Sequence, residues 1–326
     1  METPWNAVRY DPKLRKGHVE SYFLKLNDPE GRRALWLKAT ILASHARPVE
    51  AEVWAIAFDR EEGHAAVKEV VPFEEAAFSK EGFDVKVAGV HFEEGHIVGS
   101  IARGDELIEW DLHFDATGAP MVPLAYDWMY TGPFPSSKFV TPHPHTRYTG
   151  HYTKNGQKVS VEGWRGMQGH NWGKQHAELY AWSHCNQWHD HDDLMVEAIT
   201  ARIKVGPVLV PPLTVLSIWN RGVRYQFTEV KDLLLARGSI GQRSLRFRAH
   251  NDLASAEGEF HTDTENMVGL YYENPNGDMT YCLNSKIAEG RVRLDVKGRP
   301  PVIATTRAAA LEVATKDPKH GVRMYV

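Results

Sequence analysis

The chain has 326 residues, a formal net charge of -4 at pH 7 and 25% charged residues. These values are typical of a globular protein with a sizeable core, and they exclude the strongly basic surface of a nucleic-acid-binding protein. The most apolar segment, Val205 to Trp219, is interrupted by prolines and is shorter than the ~20 residues of a membrane-spanning helix. The polar N-terminus lacks the apolar run of a secretion signal. We therefore expect a cytoplasmic protein without a transmembrane segment, and peripheral membrane contact stays an alternative.

Alternation of apolar and polar residues dominates the N-terminal part of the chain. Residues 18–26, 34–42 and 50–59 are rich in β-branched and aromatic residues, and turn sequences such as NDPEG separate them. Further strands follow at intervals to about residue 114. Helix candidates are short, at 73–80 and 229–237, while 305–316 is ambiguous between helix and strand. This pattern predicts an all-β domain over residues 1–125.

A proline-rich break precedes the second half of the chain. We interpret residues 126–147 as a crossover linker, because six prolines and little periodicity occur between Asp115 and Tyr148. The β pattern resumes over 148–326, beginning with a hairpin at Asn155-Gly156. So many strands with short turns predict two antiparallel β-barrels or half-barrels packed together, since closure protects strand edges.

A glycine-rich segment, GWRGMQGHNWGKQH from Gly163 to His176, is the first candidate for a functional surface. Repeated glycine in a strand marks bulges, bends or close backbone approach. We interpret the segment as a bent strand that aims His170, Asn171 and Trp172 at a pocket. A barrel corner with satisfied polar groups is the structural alternative.

The next segment, LYAWSHCNQWH, predicts a strand with one aromatic and polar face. A period of two places Tyr180, Trp182, His184, Asn186 and Trp188 on that face. Such side chains suit the wall of a pocket that binds an apolar ligand through a few directional groups. Ordinary core aromatics are the alternative.

Glu197 is the lone acid on an apolar face of the following strand, LMVEAITARIKV. Burial there would raise its pKa and suit it to act as a general acid, whereas an ion pair with an arginine is the structural alternative. HDHDD (His189 to Asp193) contains metal-ligand residue types, but its place in a hairpin turn favours a solvated loop over a metal site. We expect no bound metal and no cofactor.

Other chemistry has little sequence support. GxSxG, P-loop and GxGxxG motifs are absent from the sequence. Cys185 and Cys282 lie far apart, which favours buried free thiols in a reducing compartment, and a single disulfide between them stays open.

Two motifs resemble a broad superfamily that holds tocopherol cyclase, hydroxyneurosporene synthase (carotenoid hydratase) and the AttH-like proteins. They are ESYFLKLNDPEGRRALWLKATIL, which starts at Glu20, and QGHNWG (Gln168 to Gly173), which a strand with Trp182 and Trp188 follows. The resemblance covers essentially the whole chain and implies a pair of lipocalin-like (calycin-type) β-barrels. Gly169 stands where the hydratase pattern has an aspartate. If that aspartate is the proton donor of the hydratases, Gly169 cannot take its place in this chain.

The resemblance and the residues together favour hydrophobic ligand binding. The first hypothesis is a cofactor-independent cyclase, hydratase or isomerase acting on an isoprenoid- or polyketide-like molecule. Glu197 or protonated His184 would be the acid, and His170 and Asn171 would orient the substrate. The second hypothesis is a non-catalytic lipid or pigment carrier, or a stress-related binding protein. A metal-dependent enzyme that uses the histidines is the third.

Overall fold

The structure is a computed structural model that describes residues 4–13, 17–202 and 211–326, together with the backbone of residues 204–205 and 208–209. The predicted all-β class with two antiparallel, lipocalin-like sheets and few helices is confirmed. Part of the apolar segment that begins at Val205 lies outside the described residues.

The first sheet is formed by the first eleven strands. They are β1 (His18–Asn27), β2 (Arg33–Ala43), β3 (Glu50–Asp59), β4 (Ala65–Pro72), β5 (Ala77–Phe78), β6 (Asp84–Val87), β7 (Val90–Glu93), β8 (His96–Arg103), β9 (Glu106–Thr117), β10 (Ser137–Lys154) and β11 (Gln157–Gly173). Their order across the sheet is β4-β3-β2-β1-β11-β10-β9-β8-β7-β6-β5. The sheet curls, so that β4 also contacts β8 and β9.

The second sheet and a small ribbon contain the remaining strands. They are β12 (Leu179–Cys185), β13 (Leu194–Arg202), β14 (Lys204–Val205), β15 (Val208–Leu209), β16 (Leu213–Asn220), β17 (Val223–Phe227), β18 (Arg237–Gly241), β19 (Ser244–His250), β20 (Ala254–His261), β21 (Val268–Glu273), β22 (Met279–Val296) and β23 (Val302–Thr315). The order in the second sheet is β17-β16-β13-β12-β23-β22-β20-β19-β18, with β21 paired to β22. β14 and β15 pair only with each other.

Helices are short. They are α1 (Trp128–Thr131), α2 (Val230–Leu235) and two 3-10 turns at Phe73–Glu75 and Thr264–Asn266. The helix predicted at 229–237 is therefore present as α2, whereas 73–80 holds only the first 3-10 turn and then strand β5. The ambiguous segment at 305–316 is strand in β23. Among the described residues, no helix is long and apolar enough to cross a membrane.

The predicted linker over 126–147 was wrong in part. Residues from Ser137 onward belong to the long strand β10, and β11 continues the first sheet to Gly173. The prolines are accommodated because the pairing of β10 with β11 is irregular between Val140 and Thr146. The chain therefore passes from the first sheet to the second between Gly173 and Leu179, instead of near residue 126.

Each sheet encloses its own apolar core, and a third cluster joins the two sheets. Trp36 and Trp54 on the first sheet pack with Leu270, Tyr272 and Cys282 on the second. Strand β2 is therefore buried on both faces, which explains its almost continuous apolar sequence. The region between the sheets is where the candidate site lies.

Candidate functional site

A cavity of about 270 Å³ lies between the two sheets. Strands β1, β2, β10 and β11 of the first sheet form one wall, and β12, β13, β16, β21 and β23 of the second form the other. The segment around α1 and one residue of α2 complete it. Its lining is mostly apolar and aromatic, and includes Val19, Phe23, Trp36, Leu124, Met129, Phe134, Phe139, Trp172, Tyr180, Trp182, Ile199, Ala201, Leu213, Val215, Leu233 and Tyr272.

Strand β12 supplies two of the predicted pocket residues. Tyr180 and Trp182 both line the cavity, and Phe23 of β1 meets the Trp182 ring edge-on at 5.6 Å between centroids. Trp188 does not share this wall, because β12 ends at Cys185 and the alternation stops there. Its ring packs instead in the core of the second sheet against Phe260, and its indole N–H donates to the Cys185 carbonyl.

The glycine-rich strand β11 brings Asn171 and Trp172 into the lining, and their role in ligand binding stays a prediction. Its glycines mark close approaches to neighbouring strands. A Cβ at Gly166 would lie 1.9 Å from the Lys25 carbonyl oxygen of β1, and one at Gly169 would lie 2.3 Å from the Phe23 ring. The glycines therefore let β11 pack tightly against its neighbours.

His170 is not among the described residues that line the cavity. Its two ring nitrogens lie 2.7 Å from the Trp5 carbonyl oxygen and 2.9 Å from a Glu20 carboxylate oxygen. Burial would raise the pKa of Glu20, but hydrogen bonds from His170 and His18 lower it to about 2. This network joins the N-terminal segment to β1 and β11, and the catalytic role of His170 stays a prediction.

His184 and Asn186 face the first sheet, as the predicted face requires, but they too lie outside the lining. His184 Nε2 donates to the Pro144 carbonyl oxygen at 3.0 Å, and Asn186 Nδ2 donates to the Gly166 carbonyl oxygen at 2.6 Å. Burial holds the pKa of His184 well below its ordinary value, and nearby Lys25 adds to that effect. A neutral His184 does not fit the expected protonated acid.

Glu197 is 3% exposed, and its carboxyl contacts Trp182, a residue of the cavity wall. It accepts hydrogen bonds from Trp182 Nε1 at 2.9 Å and from Thr141 Oγ1 at 2.9 Å. Burial raises the pKa of Glu197 to about 7, against the effect of these two donors. The raised pKa was expected, but Glu197 is not among the described residues that line the cavity, whereas its hydrogen-bond partner Trp182 is. The contacts fit a group that holds the Trp182 ring in place.

The polar end of the cavity was missed from the sequence. Lys38, Glu312, His176 and Tyr272 all line it. Behind them, Lys286 donates to a Glu312 carboxylate oxygen at 2.7 Å. Burial lowers the pKa of Lys38 to about 8 and that of His176 to about 3. The end therefore holds charged lysines and a neutral imidazole.

A sequence signal for Lys38 existed. In ALWLKATIL the face with Leu35, Leu37 and Ala39 is apolar, while Trp36 and Lys38 share the other face. A strand with a tryptophan on its supposed solvent side is a candidate for burial on both faces. A lysine on such a strand would then be buried, and buried lysines are unusual enough to mark a candidate site.

Possible metal ligands come together away from this lining. Donor atoms of His96, Asp111 and His113, on β8 and β9, lie within 4.8 Å of one another on an exposed or partly exposed surface. Imidazole and carboxylate donors suit zinc. The sequence reading did not single out these residues, since the two strands bring them together only in the fold.

The remaining predictions concern the turn and the cysteines. HDHDD follows β12 as a turn, and Asp190 in it has a φ of 60°. Cys185 and Cys282 are buried free thiols, as expected.

Comparisons with known proteins bear on the fold. No protein-family model matches the chain. An uncharacterized Mycobacterium tuberculosis protein, found in strains CDC 1551 and H37Rv, is 22% identical over 286 residues, which cover 87% of this chain and 82% of that protein.

Two solved structures superpose on most of the chain. One is a candidate AttH from Nitrosomonas europaea, with a TM-score of 0.57, 14% identity and coverage of 97% of this chain and 98% of that one. The other is CghA in complex with Sch210972, with a TM-score of 0.58, 12% identity and coverage of 92% and 88%. The chain has the AttH-like fold. At these identities the likeness establishes the fold alone.

Proposed function

We propose that the cavity between the sheets binds a hydrophobic small molecule of isoprenoid- or polyketide-like type. The observation that carries this proposal is the mostly apolar, aromatic lining around about 270 Å³. Ligand pockets typically have such a lining with a few directional polar groups, in volumes of ~300–1,000 Å³. A cavity slightly below that range suits a compact ligand. CghA, which has the same fold, was crystallised with the small molecule Sch210972.

The lining also suits cofactor-free conversion of the bound molecule by cyclisation, hydration or isomerisation. Trp36, Trp172 and Trp182 present ring surfaces around the cavity. Aromatic faces stabilise nearby positive charge, and a mostly apolar cavity can hold a flexible molecule in one folded conformation. Glu197 contributes to this chemistry by fixing the Trp182 ring through its hydrogen bond.

Carriage without conversion is the second candidate function, and one observation favours it. The predicted acids Glu197, His184 and His170 are not among the described residues that line the cavity. Glu312 does line it, but its carboxylate is paired with Lys286. An acid-assisted reaction needs a donor within reach of the substrate. The arrangement therefore supports binding more directly than proton transfer.

Native mass spectrometry of the purified protein tests both candidates, using extraction and identification of any bound molecule. A retained hydrophobic molecule is the expected result. Recovery of an added ligand unchanged after incubation would favour carriage, whereas a cyclised, hydrated or isomerised product would favour catalysis.

A matched pair of variants tests whether the ligand binds in this cavity. Ala201→Trp fills the lining, while Ala102→Trp adds the same ring at an exposed position on β8. We expect the first variant to lose the ligand and the second to keep it, with circular dichroism confirming that both are folded. Equal retention in both variants would contradict the proposed site.

A further inference from the structure

Lys38 is a buried lysine whose side chain lines the cavity and is 4% exposed. Its nearest partners are aromatic rings: Lys38 Nζ lies 3.7 Å from the centroid of Tyr272 and 5.5 Å from that of Trp54. Among the described residues, no oxygen or nitrogen acceptor hydrogen-bonds to it. A buried ammonium ordinarily has a paired acceptor.

The neighbouring carboxylates already have lysines of their own. Glu52 pairs with Lys68 at 2.6 Å, and Glu312 pairs with Lys286 at 2.7 Å. Within each pair the two opposite charges cancel, so the ammonium of Lys38 gives the polar end of the cavity one excess positive charge.

The other titratable groups nearby do not supply a negative charge to balance Lys38. Burial lowers the pKa of His176 to about 3 and raises the pKa of the Cys282 thiol, so neither carries charge near neutral pH. Rings attract a cation through their faces, yet they leave its N–H groups without hydrogen-bond acceptors. An oxyanion entering the cavity would supply both the charge and the acceptors.

We propose that Lys38 anchors a carboxylate-type oxyanion at one end of an otherwise apolar ligand. The inference rests on the proposed function, because it assigns the head group of the molecule in that same cavity. The aromatic lining takes the apolar part, and the ammonium selects for an acidic group against a neutral one. Charge-assisted hydrogen bonds are roughly twice as strong as neutral ones.

Lys138 provides a matched control within the same cavity. It also lines the cavity, but its ammonium donates to the Pro135 carbonyl oxygen at 2.7 Å and so has a protein acceptor. Replacing either lysine with methionine removes one charge and keeps most of the side-chain volume. Only the Lys38 change should remove the selectivity for an acid.

The test compares decanoate, methyl decanoate and 1-decanol as probes by isothermal titration calorimetry, below the concentrations at which they aggregate. For the wild-type protein we expect decanoate to bind about ten-fold or more tightly than the ester or the alcohol. Lys38→Met should reduce that ratio to about one, largely by weakening decanoate, and Lys138→Met should preserve it. Lys38→Gln serves as a second variant if the methionine variant does not fold.

The outcomes separate the two proposals. Equal binding of acid, ester and alcohol by the wild-type protein would overturn the role of Lys38 and leave the apolar cavity as a ligand site. Loss of selectivity in Lys138→Met, but not in Lys38→Met, would also overturn it. No binding of any probe would contradict the proposed function itself, and with it the assignment of Lys38.

Discussion

Glu197 gives the sharpest test of how a buried carboxyl affects the stability of the protein. Its pKa is about 7 in the folded protein against an ordinary value of 4.5, and burial is the cause. The folded state therefore holds a proton that the unfolded chain releases between pH 4.5 and 7. Stability linked to this group is fully present below pH 4.5 and is lost as pH rises to about 7. A difference of about 2.5 pKa units amounts to roughly 3 kcal/mol.

Glu197→Gln removes this titration and resembles the protonated carboxyl. The glutamine carbonyl can still accept from Trp182 Nε1, and its amide can donate to the Thr141 hydroxyl. We expect the variant to resemble the wild type in stability near pH 5 and to gain about 2–3 kcal/mol relative to it by pH 8. Histidines that titrate in the same range affect both proteins equally, so the difference isolates Glu197.

Urea unfolding of both proteins at pH 5, 6, 7 and 8 measures this difference. Glu257→Gln, which changes an exposed glutamate on β20, is the control and should give no such pH-dependent gain. Parallel stability profiles for the wild type and Glu197→Gln would refute the reasoning, since a carboxyl already ionised at pH 5 gains nothing from amidation at pH 8.

Two further predictions concern packing and charge. Gly166→Ala should destabilise the protein by about 2 kcal/mol or more in urea unfolding, because its Cβ would collide with backbone of β1, whereas Gly82→Ala, with open space around it, should have little effect. A similar loss in both variants would contradict this explanation. Lys286→Met should cost about 3 kcal/mol by leaving the Glu312 carboxylate unpaired, while the exposed Lys158→Met should be near neutral; an unchanged melting temperature for Lys286→Met would show that the pair is not needed.

The fold was largely predictable because local sequence carries the period of a strand. Alternation in β1, β2 and β3, and the Asn155-Gly156 turn with φ of 50° and 83°, correspond to what the sequence indicates. The boundary between the two sheets was harder to predict. The prolines indicated a linker over residues 126–147, whereas irregular pairing with β11 allows β10 to continue past Pro142 and Pro144. The position of Trp188 was missed since periodicity cannot show where a strand ends.

The candidate site was only half predictable, because residues from both sheets line the cavity. Tyr180 and Trp182 share one face of β12, so periodicity could place these two together, whereas Asn171 and Trp172 on β11 were singled out by the glycines around them. Lys38 reaches the same cavity from β2, more than 130 residues before Asn171 in the sequence. The cavity that brings Lys38 close to Tyr180 and Trp182 forms only when the two sheets pack together. Single-strand patterns contain no information about which faces of two sheets oppose each other.

The contrast between the buried carboxyls and Lys38 bears on the selectivity proposed for the cavity. Glu197 is satisfied by Trp182 and Thr141, and Glu312 by Lys286, so both stabilise the wall around the cavity. Satisfied groups gain little from a ligand, because binding would only replace one partner with another. Lys38 has ring faces but no hydrogen-bond acceptor among the residues that the structure describes, so an oxyanion would add hydrogen bonds that these residues do not supply. The selectivity of the cavity should therefore depend on the buried ammonium more than on any of the acids.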